Sequence, residues 1–223
     1  MTVTNKCSFT VRPPAMFTDM SIAGNTAPDY PTGWEAPSGN SVTFDLPDNW
    51  QAGRIWGRRD CDFSTDPGPN SCLTGGCNGG LECATTGGTG VPPATVAEFT
   101  FDGTNDNYDV SLVDGYNLPM RVDNTVGCGV PSCPVDLAPN CPSAIAGPFD
   151  STGAAVGCKS ACFANLDGDQ ANSPNCCSGQ YGTAATCPSS SVQCEYAYDE
   201  SSGTALWKCD GSLEASYTIT FCP

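Results

Sequence analysis

The sequence predicts a mainly β protein, a sandwich of short strands carrying a disulfide-rich lobe with one helix. Three observations predict it. Short runs of apolar–polar alternation recur along the 223 residues, separated by clusters of Gly, Pro, Asn and Asp. The chain holds 16 cysteines, an even number, and no histidine. No apolar run reaches the ~18 residues that a membrane-spanning helix needs. Several short alternating strands broken by turn signals form the pattern of a sandwich.

Taken in order, the first expected strand covers 8–12, with Phe9 and Val11 on one face. The second covers 41–46 through Val42, Phe44 and Leu46, and a short third covers 54–56. Over 97–101, Ala97, Phe99 and Phe101 share one side, with Glu98 and Thr100 on the other. Over 108–112, Tyr108, Val110 and Leu112 turn inward and Asp109 and Ser111 outward. The last strand covers 216–221 through Tyr217, Ile219 and Phe221. The stretch 150–166 differs: it is Ala-rich, with Cys158 and Cys162 spaced to share one helical face, and it is the expected helix. Nine of the 16 cysteines fall between Cys128 and Cys194, among dense Pro and Gly. The expected organisation is one unit, with the sandwich over 1–127 plus 195–223 and the stapled lobe over 128–194. That lobe has too little apolar sequence to fold without bridges.

Composition excludes several function classes. Without histidine there is no Ser-His-Asp or Cys-His catalysis and no imidazole metal ligand. Eight Lys and Arg stand against 24 Asp and Glu, a net charge of −16, which argues against nucleic acid as a partner. No metal and no cofactor are expected. Cysteines in such number stay reduced in the cytosol and pair in an exported protein. Zinc is the competing use, but no C-x-x-C grid repeats. Met1 is followed at once by Thr-Val-Thr-Asn-Lys-Cys, so the expectation is a mature secreted chain, extracellular or in a cell wall, whose leader was replaced by a start Met.

Acid–base chemistry then falls to Asp and Glu. Between 98 and 123 lie Glu98, Asp102, Asp106, Asp109, Asp114 and Asp123, against the single base Arg121. A hairpin that sets Phe101 opposite Tyr108 places Glu98 and Asp109 as diagonal neighbours, ~7–8 Å apart by Cα. Asp114 follows in an Asp-Gly turn. Mutual repulsion in such a group raises the pKa of at least one member. A carboxylate pair with split pKa values is what glycosidic-bond cleavage needs. Arg54, Arg58 and Arg59 cluster around Trp56, where a guanidinium can orient a carboxylate. The competing reading is a solvated acidic face with ordinary surface ion pairs.

These residues fall into a series that resembles thaumatin-like proteins across essentially the full length. The series includes Asn5-Lys6-Cys7-Ser8-Phe9, Gly53-Arg54-Ile55-Trp56-Gly57-Arg58-Arg59-Asp60-Cys61 and Ala97-Glu98-Phe99. It continues with Tyr108-Asp109-Val110-Ser111-Leu112-Val113-Asp114-Gly115, Asn175-Cys176-Cys177-Ser178-Gly179 and Thr220-Phe221-Cys222-Pro223. The resemblance implies a thaumatin-like β-sandwich, a disulfide-rich lobe carrying a helix, and a second small disulfide-stabilised lobe. It implies the bridges Cys7–Cys222, Cys61–Cys72, Cys77–Cys83, Cys128–Cys209, Cys133–Cys194, Cys141–Cys158, Cys162–Cys176 and Cys177–Cys187. It also implies an acidic cleft lined by Arg58, Glu98, Asp109, Asp114 and Asp199. The implied function is a monomeric, acidic endo-β-1,3-glucanase acting on cell-wall glucan. In it Glu98 is the general acid and Asp114 the base or nucleophile, with Arg58, Asp109 and Asp199 holding substrate. The alternative is a non-catalytic β-1,3-glucan-binding antifungal or defence protein using the same cleft. Carboxyl separation decides the stereochemistry: ~5–5.5 Å favours retention and ~6.5–9.5 Å inversion.

Overall fold

The structure, a computed structural model, describes residues 1–11, 14–64, 67–85, 90–187 and 206–223. Alternation in the chain becomes 12 strands among these residues: β1 (Thr2–Asn5), β2 (Ala15–Phe17), β3 (Ser41–Thr43), β4 (Gly53–Trp56), β5 (Arg59–Cys61), β6 (Cys72–Thr74), β7 (Val96–Phe101), β8 (Asn105–Ser111), β9 (Met120–Asn124), β10 (Ser132–Cys133), β11 (Trp207–Asp210) and β12 (Tyr217–Phe221). They form two five-stranded sheets, β10-β9-β12-β1-β3 and β11-β8-β7-β4-β2, and a two-stranded ribbon, β5-β6. Strands β1 and β12 run parallel, which sets the first and last strands side by side.

The core lies between the large sheets. Val3, Met120, Val122, Ile219 and Phe221 from one meet Ile55, Ala97, Phe99 and Tyr108 from the other. Each large apolar side chain buried this way stabilises the fold by ~1.5–3 kcal/mol. Phe99 stacks on Tyr108 with ring centroids 6.1 Å apart, and the Trp50 indole N–H donates to Thr18 at 2.7 Å. A smaller cluster of Ala15, Trp56, Ala94 and Val96 packs against the Cys77–Cys83 loop on the outer face of the second sheet.

Among the described residues, seven disulfides join Cys7–Cys222, Cys61–Cys72, Cys77–Cys83, Cys128–Cys209, Cys141–Cys158, Cys162–Cys176 and Cys177–Cys187. Each is a pair implied by the resemblance. The eighth, Cys133–Cys194, involves a residue outside the described ones.

Three local expectations change. The first strand is Thr2–Asn5 instead of 8–12, and Val11 makes only an isolated bridge to Ala36. The reason is Asn5: its side-chain amide donates to Phe9 O and Ala36 O, and its oxygen accepts from the Cys7 N–H, so the chain turns there. The helix expected over 150–166 is not a regular helix. Cys158 is drawn into bridges with Tyr116 and Ala146, leaving only turns beyond it, such as Ala164 N–H to Ser160 O at 2.9 Å. Cys158 and Cys162 bond to Cys141 and Cys176, so the two thiols of the supposed helical face are claimed by separate segments. The third change is the hairpin register, which bears on the site.

Behind the hairpin, the Tyr217 hydroxyl donates to Asp106 at 2.8 Å. Burial, and next the charges of Asp102 and Asp48, raise the Asp106 carboxyl above the ordinary 3.8, against the lowering by Tyr217. An acid raised in the fold binds its proton more readily when folded. Its contribution is therefore most favourable below 3.8 and is lost as pH rises through the folded value. Asp106→Asn, which keeps the acceptor and removes the charge, is expected to raise the urea midpoint at pH 7. The gain should shrink toward zero at pH 3. A gain that grows on acidification would contradict this.

Candidate functional site

The site begins with the pairing of three adjacent strands. Arg54 on β4 lies opposite Glu98 on β7, and Glu98 lies opposite Asp109 on β8. Because alternate residues share a face, these three side chains form one row on the outer face of the sheet, opposite the core. The hairpin closes through Asp102, whose carboxylate accepts the N–H groups of Thr104 and Asn105, and through Gly103, which takes φ +80°. This turn sets Phe101 opposite Asp106 and Phe99 opposite Tyr108. Glu98 and Asp109 are thus direct partners, closer than the expected diagonal.

Asp114 reaches the same place from the loop after β8. Its carbonyl accepts from the Ala94 N–H at 3.1 Å, and the Gly115 N–H returns to Leu112 O at 2.8 Å. Gly115 has φ +87°, and a Cβ there would stand 2.6 Å from Cys158 O, so glycine permits both the turn and the contact with the lobe.

Arg54 joins the acids. Its Nε lies 2.7 Å from Glu98 Oε1, and its Nη1 lies 3.4 Å from Asp114 Oδ2. One guanidinium therefore holds both carboxylates. The bare repulsion expected between the acids is met by a cation standing between them. All three side chains keep about a third of their surface open (32%, 29% and 36%), so incoming groups have access. Asp109 is buried beside them.

Arg58, expected at this cleft, is elsewhere. It is wholly buried, donating to Gly80 O at 2.6 Å, to Leu81 O and to Cys77 Sγ at 3.1 Å, with Phe63 stacked on the guanidinium. Burial pushes it down to about 9. Its work is to hold the Cys77–Cys83 loop. The arginine at the acids is Arg54, four residues earlier, another of the three that cluster around Trp56. Asp199 lies outside the described residues. The aromatics Phe99, Tyr108 and Tyr116 are buried, so they offer no platform to a sugar.

A disulfide-laced β-sandwich with an acidic, arginine-bridged face beside a cysteine-rich lobe is the class of protein that fold and site define. The profile of the thaumatin family matches residues 5–223, and the chain belongs to that family. It is 40% identical over 236 residues to the pathogenesis-related thaumatin-like protein 3.5 of Cryptomeria japonica, covering 100% of this chain and 89% of that one. To thaumatin-like protein 1 of Arabidopsis thaliana it is 38% identical over 244 residues, covering 100% and 85%. Among solved structures, the thaumatin-like xylanase inhibitor TLXI superposes with a TM-score of 0.52 at 22% identity, covering 100% of this chain and 98% of that one, a likeness of fold.

Proposed function

We propose that the protein is a secreted, acidic endo-β-1,3-glucanase of the thaumatin-like class, acting on cell-wall glucan as a monomer and without a cofactor. The observation that carries this reading is the single guanidinium that gathers Glu98 and Asp114 on an open sheet face, with Asp109 beside them. Cleavage of a glycosidic bond needs one carboxyl to protonate the leaving oxygen and a second to act as base or nucleophile. Glu98 takes the first role and Asp114 the second. Family resemblance assigns the sugar hydroxyls to Asp109 and Asp199, and Asp109 lies buried beside the two open acids. Secretion fits the seven disulfides, which an oxidising compartment maintains.

A second reading is favoured by those same ion pairs. With Arg54 on both carboxylates, the face can recognise sugar hydroxyls without turnover, as a glucan-binding defence protein. One assay separates the two. The pure protein is incubated with linear β-1,3-glucan at acidic pH, and reducing ends are measured alongside retention on insoluble glucan. Release is the expected result. Retention without release leaves the binding reading, and neither discards both.

A further inference from the structure

A cavity of about 340 Å³ opens between the end of β8 and the cysteine-rich lobe. Small-molecule sites span about 300–1,000 Å³. Its walls are apolar: Leu112, Val113, Leu137, Ile145 and Phe163. Both sides are fixed in advance. The Tyr116–Cys158 backbone pair, at 2.7 and 2.8 Å, ties the sheet end to the lobe, and Cys162–Cys176 closes the far wall.

The polar groups on the walls are mostly spent within the protein. The Gln170 amide donates to Cys162 O at 2.8 Å, the Ser160 hydroxyl accepts from the Phe163 N–H at 3.1 Å, and the Tyr116 hydroxyl donates to Asp136 at 3.1 Å. Asp114 is among the lining residues. One of its oxygens holds Arg54, and a carboxylate has lone pairs for further donors. Lys159 is the one cation among the lining residues. In a chain of net charge −16, with Asp114 on the wall and Glu98 bound to the same arginine, an anion is disfavoured. A polyhydroxylated sugar finds few acceptors on these walls.

We infer that this cavity is a second binding site, for a compact, uncharged, largely apolar molecule that carries one hydroxyl or amine donor. The apolar body packs against Leu112, Leu137, Ile145 and Phe163, and the donor meets Asp114. The cavity shares Asp114 with the proposed catalytic pair, but its test reads probe binding, so its failure and the failure of the glucanase reading are distinguishable.

The test uses N-phenyl-1-naphthylamine, a neutral aryl amine whose fluorescence rises when it leaves water. Titration into the intact, oxidised protein is expected to give saturable one-to-one binding. The anionic 8-anilinonaphthalene-1-sulfonate is expected to bind at least about tenfold more weakly. Ala161→Phe fills the cavity and should abolish the signal. Val113→Asp sets a charge on a wall side chain that is already 39% exposed, so folding is retained, and it should weaken the neutral probe at least about tenfold. Near-UV circular dichroism verifies the fold of both variants. No saturable binding, binding unchanged in folded Val113→Asp, or an anion that binds as tightly as the neutral probe would overturn the inference.

Discussion

Glu98→Gln is expected to reduce the release of reducing ends from β-1,3-glucan by about 10²–10⁴-fold, the range that a positioned acid contributes. The amide keeps the size of the side chain and an oxygen that Arg54 can still donate to, but it cannot deliver a proton. Stability should hardly change. The Arg54–Glu98 pair is about a third open to solvent, and such pairs contribute at most ~1 kcal/mol. The two readouts therefore move apart: activity falls by orders of magnitude while the thermal midpoint moves by a few degrees. Binding to insoluble glucan should persist, because Asp109, Asp114 and Arg54 remain. Activity surviving in the variant would remove Glu98 from the acid role.

The second large effect is on stability, at the arginine that sequence reasoning assigned to the cleft. Arg58→Ala is expected to destabilise the fold by about 3–5 kcal/mol, read as the guanidinium chloride midpoint with the disulfides intact. Two of its hydrogen bonds run to Gly80 O and Leu81 O, and a bond from a charged group contributes ~1.5–3 kcal/mol. The substitution leaves these carbonyls facing a void beneath a loop closed by Cys77–Cys83. Arg58→Lys should rescue little, since a single ammonium cannot reproduce a planar fork that spans two carbonyls and a sulfur. Gly33 is part of the same arrangement. A Cβ there would lie 1.9 Å from Leu81 O and 2.7 Å from Arg58 Nη2. Against a usual stability margin of ~5–15 kcal/mol, the loss is large but survivable in a chain this heavily crosslinked. A loss under about 1 kcal/mol would mean that the guanidinium is solvated, as a cleft residue would be.

The contrast between Arg54 and Arg58 shows what the sequence could convey. Alternation over 97–101 and 108–112 placed Glu98 and Asp109 on the outer face, because side-chain direction follows the two-residue repeat of a strand. Register does not follow from alternation. A shift of two residues leaves every side chain on the same face, and the expected pairing of Phe101 with Tyr108 erred by that amount. The residue that fixes it is Gly103, the first residue of the two-residue loop Gly103-Thr104, where a primed hairpin turn takes positive φ. Which arginine meets Glu98 depends on the pairing of β4 with β7, strands some 40 residues apart, and local pattern carries no such information. The parallel contact of β1 with β12 is non-local in the same way. The lost helix has a different cause. Cys158 and Cys162 have helical spacing, but Cys158 is taken into backbone pairing with Tyr116, and the ordering of that backbone outweighs a weak local propensity.

Most of this rests on one spatial claim, that the outer face of the second sheet receives a sugar polymer at the acids bridged by Arg54. Soaking crystals of the Glu98→Gln protein with laminarihexaose tests it directly. A glucan chain lying across β4, β7 and β8, with a glycosidic oxygen within hydrogen-bonding distance of residue 98 and the adjoining anomeric carbon turned toward Asp114, is the predicted result. An oligosaccharide seated on any other surface, with the Arg54 row left bare, would contradict it.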